Sequence, residues 1–91
     1  MYYVYILYSE SADHYYIGQT NNLNARIQKH NKGAIGYTRY GRPWKMLWCT
    51  GKGTRKEAIL LERKLKNLSR DRLGIFMKKY SDEFKFRRSR M

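Results

Sequence analysis

The hydrophobic residues of this chain fall into short runs separated by polar punctuation, and the period of the runs changes along its length. Residues 2–8, Tyr-Tyr-Val-Tyr-Ile-Leu-Tyr, are all aromatic, β-branched or Leu. An unbroken run of this kind suits a strand buried on both faces, at the centre of a sheet. Ser9 to Asp13 read as a turn. Residues 14–20, His-Tyr-Tyr-Ile-Gly-Gln-Thr, then read as a second strand that pairs antiparallel with the first. Gly18, late in that strand, marks a bend or a close approach of the backbone to another group.

The period then becomes helical. Asn21 or Asn22 can cap a helix over 22–31, in which Leu23 and Ile27 lie one turn apart. Arg26 and His30 form a second i, i+4 pair that flanks this apolar stripe. Gly33 is a stop signal. Residues 34–43 read as a loop containing Gly and Arg. Trp44 to Thr50 reads as a third strand, with Met46, Trp48 and Thr50 on one face and Leu47 and Cys49 on the other. Gly51-Lys52-Gly53 breaks it. Thr54-Arg55-Lys56-Glu57 is a capping box. It opens a helix with Ala58, Leu61, Leu65 and Leu68 on one stripe and Glu62 at the stripe's edge. A last helix spans about 70–80. The order β-β-α-β-α-α predicts an α/β domain, a three-stranded antiparallel sheet flanked by helices. Residues 1–81 form that domain, and 82–91 a basic C-terminal tail.

Length confines the 91 residues to one domain. No run approaches the ~18 apolar residues of a membrane span, and residues 1–5 lack the features of a secretory signal. The one cysteine, Cys49, excludes an internal disulfide and any multi-cysteine zinc site. A cytoplasmic setting is the expectation. Charge narrows the partner. Twenty Lys and Arg against seven Asp and Glu give a net +13, of which +9 lies in residues 52–91. Such a surface attracts polyanions, with nucleic acid as the first candidate and an anionic membrane surface as the second.

Hydrolysis of a phosphodiester needs a carboxylate to hold a cation, a base to activate water and a positive group at the phosphate. Among the few carboxylates, Glu57 is accounted for by the cap, and Glu10, Asp13, Asp82 and Glu83 fall in a turn or the tail. Glu62 stands beside an apolar stripe, where it can serve as a ligand or pair with Lys66. Arg26 and His30 are open to a structural or a catalytic reading. Nine tyrosines are available for core packing, base stacking or proton transfer. Arg39, Arg42, Lys45 and Lys52 can contact a phosphate backbone, and Tyr37 and Tyr40 can stack on bases or pack locally.

Taken in order, these residues resemble the GIY-YIG nuclease family. Tyr3-Val4-Tyr5 and, eleven residues on, Tyr16-Ile17-Gly18 look like the two halves of its signature. Asn22-Leu23, Arg26-Ile27, His30-Asn31, Tyr37-Thr38, Pro43-Trp44 and the helical Glu62 follow in the family's order, so that the resemblance covers roughly 2–80. It is greatest to small stand-alone bacterial members related to the N-terminal nuclease domain of the UvrC excision-repair protein. The resemblance implies a metal-dependent DNA endonuclease acting in repair or processing, which can be structure-specific or single-strand-directed. It implies that Tyr5 and Tyr16 line the active site, with Tyr16 activating water. Arg26 would stabilise the scissile phosphate, His30 assist proton transfer, and Glu62 hold one Mg²⁺ or Mn²⁺. Gly18 would serve packing. Two positions depart from the family: Tyr3 stands where the first triplet has Gly, and Gly74 stands twelve residues beyond Glu62, where many members carry Asn. A non-catalytic nucleic-acid-binding module on the same fold is the rival reading. The sequence does not fix an oligomeric state.

Overall fold

The computed structural model describes residues 1–81, so the basic tail expected at 82–91 lies outside the described residues. Strands β1 (Tyr2–Ser9), β2 (His14–Thr20) and β3 (Trp44–Lys52) alternate with helices α1 (Leu23–Asn31), α2 (Arg55–Lys66) and α3 (Arg70–Lys79) in the expected order. The loop between α1 and β3 winds into one 3₁₀ helix, Gly36–Gly41. The sheet is antiparallel with spatial order β2-β1-β3. The all-apolar run therefore occupies the central strand. Val4, Tyr5, Ile6 and Leu7 are all fully buried, two on each face.

Alternation along β1 feeds two cores. Val4 and Ile6 join Ile17, Trp48, Ala58, Leu65 and Leu73 beneath α2 and α3. Tyr5 and Leu7 join Leu23, Trp44 and Cys49 on the other face, with Tyr16, Ile27 and Met46 packed around them. Each aliphatic side chain buried in this way stabilises the fold by about 1.5–3 kcal/mol. Cys49 is buried and forms no disulfide.

The expected face assignment of β3 is corrected by a bulge. Ile6 pairs with Trp48, but Leu7 pairs with Met46, so Leu47 is the extra residue. A bulge shifts the alternation by one position. Met46 therefore joins Cys49 and Trp44 on the α1 face, while Trp48 and Thr50 keep the opposite face. Leu47 itself is exposed.

The helix ends follow local chemistry. The Asn22 side chain accepts from Ala25 N–H, Thr54 from Glu57 N–H and Ser69 from Arg72 N–H, each satisfying a donor the helix leaves open. In the capping box the Glu57 carboxylate accepts from the Thr54 hydroxyl. Gly33, at φ +76°, ends α1 in the left-handed region, where glycine is least strained. α3 is fastened at both ends. Arg70 pairs with Asp13 in the β1–β2 turn and lies over the Tyr15 ring, while Trp48 Nε1 donates to the Tyr80 carbonyl at 3.0 Å. No helix of the described residues is long and apolar enough to cross a membrane.

Candidate active site

Tyr5, Tyr16, Arg26 and His30 come together where the α1 face of the sheet meets α1. The register places Tyr5 opposite Gly18 on β2 and Leu7 opposite Tyr16, so both tyrosines point to the α1 side. Their ring centroids are 6.3 Å apart, and the His30 ring lies 5.9 Å from Tyr5 and 4.7 Å from Tyr16, edge-on to each. Gly18 makes this arrangement possible. A β-carbon there would stand 2.5 Å from the Tyr5 hydroxyl oxygen and 2.8 Å from Tyr5 Cζ. The close approach expected at this glycine is the Tyr5 side chain itself.

His30 is fully buried, deeper than its place at the edge of the α1 stripe suggests. Its Nδ1 lies 2.8 Å from Thr38 Oγ1, and the Thr38 hydroxyl donates to the Ile35 carbonyl at 3.1 Å. A hydroxyl has one proton to give, so Thr38 accepts from Nδ1–H. Nε2 is then the bare nitrogen and accepts from the Tyr5 hydroxyl at 3.0 Å. This assigns one direction to the whole relay: Tyr5 to His30 to Thr38 to the Ile35 carbonyl. The electrostatics agree. Burial, and then the Arg26 charge, push His30 down to about 4, so the imidazole is neutral near pH 7. Burial pushes Tyr5 up to about 12, against the opposing effect of Arg26.

In the sequence Thr38 stands out only beside Tyr37 in the family-like order, because neither helical nor strand period marks a residue in a 3₁₀ turn. Its replacement by Val should leave Nδ1–H buried without an acceptor, at about 1–3 kcal/mol of stability. The side-chain ¹⁵N resonances of His30 should report loss of the single tautomer. Unchanged resonances would show that Thr38 does not set it.

The low value of His30 also fixes a pH dependence. The unfolded imidazole takes up a proton near 6.5, the folded one near 4. Between these the unfolded chain binds more protons, so the contribution is complete above about 6.5 and is lost as pH falls. Lys45 and Arg70 hold Glu10 and Asp13 below the ordinary carboxylate range. Thermal midpoints should fall between pH 6.5 and 5 in the native chain, and His30→Gln should flatten that slope.

Arg26, on α1, brings its guanidinium within hydrogen-bonding reach of Tyr5 and Tyr16, and their phenols raise it further. Its Nε is buried with no hydrogen-bond partner. A buried donor without an acceptor is costly. Glu62 comes from the opposite layer, since α2 packs under Val4 and Ile6. The Glu62 side chain is 20 % exposed and pairs loosely with Lys66 at 3.9 Å, while its charge still bears on Tyr5.

The described residues hold no cluster of three or more His, Cys, Asp or Glu that could cage a metal. A single carboxylate such as Glu62 is the donor set of a hard cation that keeps most of its waters, not of a caged metal. Gly74 is exposed on α3 with open space where a side chain would stand.

The basic residues expected at a phosphate backbone lie on different elements. Lys45 is paired with Glu10 at 2.7 Å, and Lys52 stands at the other end of β3. Arg39, Arg42 and Tyr40 share the 3₁₀ helix and its exit. Tyr37 belongs to the same turn, with its side chain outside what the structure describes.

Residues 1–80 match the family described as the GIY-YIG catalytic domain. The UPF0213 protein of Streptococcus pneumoniae serotype 4 is 32 % identical over 81 residues, which are 88 % of this chain and 81 % of that protein. The UPF0213 protein YazA of Bacillus subtilis is 31 % identical over 64 residues, 69 % of this chain and 65 % of that one. The solution NMR structure of the UPF0213 protein BH0048 from Bacillus halodurans is similar with a TM-score of 0.58 at 30 % identity, covering 88 % of this chain and 86 % of that chain.

Proposed function

The chain belongs to the GIY-YIG catalytic-domain family, and from that membership we propose that it is a cation-dependent endonuclease hydrolysing DNA phosphodiester bonds, in DNA repair or processing. The observation that carries this reading is the convergence of Tyr5, Tyr16, Arg26 and His30 around one spot, with the Arg26 guanidinium within hydrogen-bonding reach of both tyrosines. Arg26 is only half-buried, and a guanidinium beside two phenols suits the oxygens of a phosphate.

The two tyrosines divide the work. Tyr5 is sealed from solvent and donates its proton to His30, so it acts as a fixed dipole that orients the site. Tyr16 is half-buried and is the member of the pair that water reaches. It accepts a hydrogen bond from the attacking water and aims it at phosphorus. Arg26 takes the charge that builds on the non-bridging oxygens as the bond to phosphorus forms, in a site already shaped to receive it. His30, neutral and held by Thr38, keeps Tyr5 in place and offers no competing positive charge. Glu62 would hold Mg²⁺ or Mn²⁺, which supplies charge neutralisation at the phosphate and the leaving oxygen.

Labelled single-stranded, duplex and branched DNA, incubated with the chain in Mg²⁺ or Mn²⁺ and in EDTA at fixed salt, tests the proposal. Cutting that needs the cation is expected on at least one of them. Tight binding with no cutting on any substrate would return the chain to a binding module built on the same fold, with Gly74 as the first position to restore.

A further inference from the structure

The 3₁₀ helix Gly36–Gly41 presents a surface that the chemistry at Tyr5 and His30 does not use. Tyr40, at its tip, is 85 % exposed, more than any other large hydrophobic side chain among the described residues. A tyrosine on a loose loop would mean little, but this turn is fastened. Trp44 Nε1 donates to the Thr38 carbonyl at 2.7 Å, and Arg42 Nε to the Arg39 carbonyl at 2.9 Å. Gly41 lies so close to the Trp44 ring that a β-carbon would meet Cζ2 at 2.3 Å. Trp44 in turn is clamped by Asn31, whose Oδ1 accepts from its backbone N–H at 2.6 Å. The backbone that carries Tyr40 is thus set before any ligand arrives, which lowers the ordering cost of binding.

Tyr40 opens on a shallow groove shared with Asn31, Arg39, Arg42 and Pro43. Asn31 follows His30 in α1, so the groove begins one residue from the buried imidazole. Its charge is uncontested. Between Asp13 and Glu57 the sequence contains no acidic residue, and neither arginine enters an ion pair among the described residues. An exposed aromatic ring that shares a groove with two unneutralised arginines suits a nucleobase with its flanking phosphates. In a duplex both faces of each base are already stacked, so the ring would have nothing to cover.

We propose that this groove is a strand-binding subsite in which Tyr40 stacks on an unpaired nucleobase while Arg39 and Arg42 contact the flanking phosphates. The subsite depends on the nuclease reading for its place beside the reacting phosphate, and not for the binding itself. It makes the substrate single-stranded where it leaves the catalytic cluster.

Anisotropy of labelled oligothymidine and of a duplex of equal length, measured with the full chain in EDTA at fixed salt, tests it. Tyr40→Ala should weaken oligothymidine binding about five- to hundredfold, the range spanned by stacking on one base. It should leave duplex binding within about twofold. Tyr40→Trp should retain the native affinity for oligothymidine. Arg39→Ala should weaken both ligands and reduce the salt dependence by about one phosphate contact. Equal losses on strand and duplex with Tyr40→Ala, or none on either, would overturn the subsite. EDTA separates the two readings. A strand-selective loss in a chain that never cuts would sink the nuclease and keep the subsite. Cutting by a chain indifferent to Tyr40→Ala would do the reverse.

Discussion

Replacing Glu62 with Gln should reduce cation-dependent cleavage by about a thousandfold, corresponding to about 4 kcal/mol of lost transition-state stabilisation, while the fold is retained. The expectation separates chemistry from structure because Glu62 does little for the fold. Its side chain is four-fifths covered, and its ion pair with Lys66 is 3.9 Å long. A pair of that kind is worth about 0–1 kcal/mol, and Gln keeps the size and polarity of the side chain. DNA binding in EDTA should tighten slightly, because the substitution removes a negative charge beside a polyanion. Cleavage rates titrated with Mn²⁺, read together with a thermal melt, check all three points. A Glu62→Gln variant that cuts at the native rate would remove Glu62 from the site.

Gly18→Ala should cost about 1–3 kcal/mol, the usual range for an overpacked core, and should damage cleavage more than that loss alone explains. Two effects oppose each other here. Alanine in a strand interior is favoured over glycine by up to about 1 kcal/mol of backbone entropy. The new β-carbon, however, would stand 2.5 Å from the Tyr5 hydroxyl oxygen and 3.1 Å from Tyr16 Cε1. Tyr5 cannot yield. It is fully buried in the central strand, and its hydroxyl is committed to His30. Packing therefore wins, and any relief moves Tyr5 off the imidazole. In a domain of this size each kcal/mol lowers the thermal midpoint by about 4–8 °C. Gly36→Ala is the control, since nothing lies within 4 Å of a β-carbon there. A melt unchanged by Gly18→Ala would mean that Tyr5 is free to move.

What could be read in the sequence was what local chemistry decides. The run from Tyr2 to Tyr8 announced a central strand because no polar residue interrupts it. Asn22, Thr54 and Gly33 announced helix ends because caps act within a few residues. The phase of Met46 could not be read, since the bulge at Leu47 arises only when β3 is laid against β1. The burial of His30 was hidden for a related reason. A position beside an apolar stripe is covered or exposed according to what packs over it, and the 3₁₀ turn bearing Thr38 does the covering. The family pattern put Tyr5 and Tyr16 side by side. Their different exposure comes from strand order, which places β1 inside the sheet and β2 at its edge.

The bulge at Leu47 lets residues of one numerical parity in β3 serve two layers. Ahead of it, Trp44 and Met46 answer to the layer that holds the tyrosines and the 3₁₀ turn. Behind it, Trp48 and Thr50 face the scaffold under α2 and α3. Both tryptophans of the chain lie in this strand, and the extra residue sends them to opposite cores. The hinge between them is a single exposed side chain that neither core needs. Removing Leu47 would therefore leave each tryptophan on its present face, because β3 would then alternate without interruption.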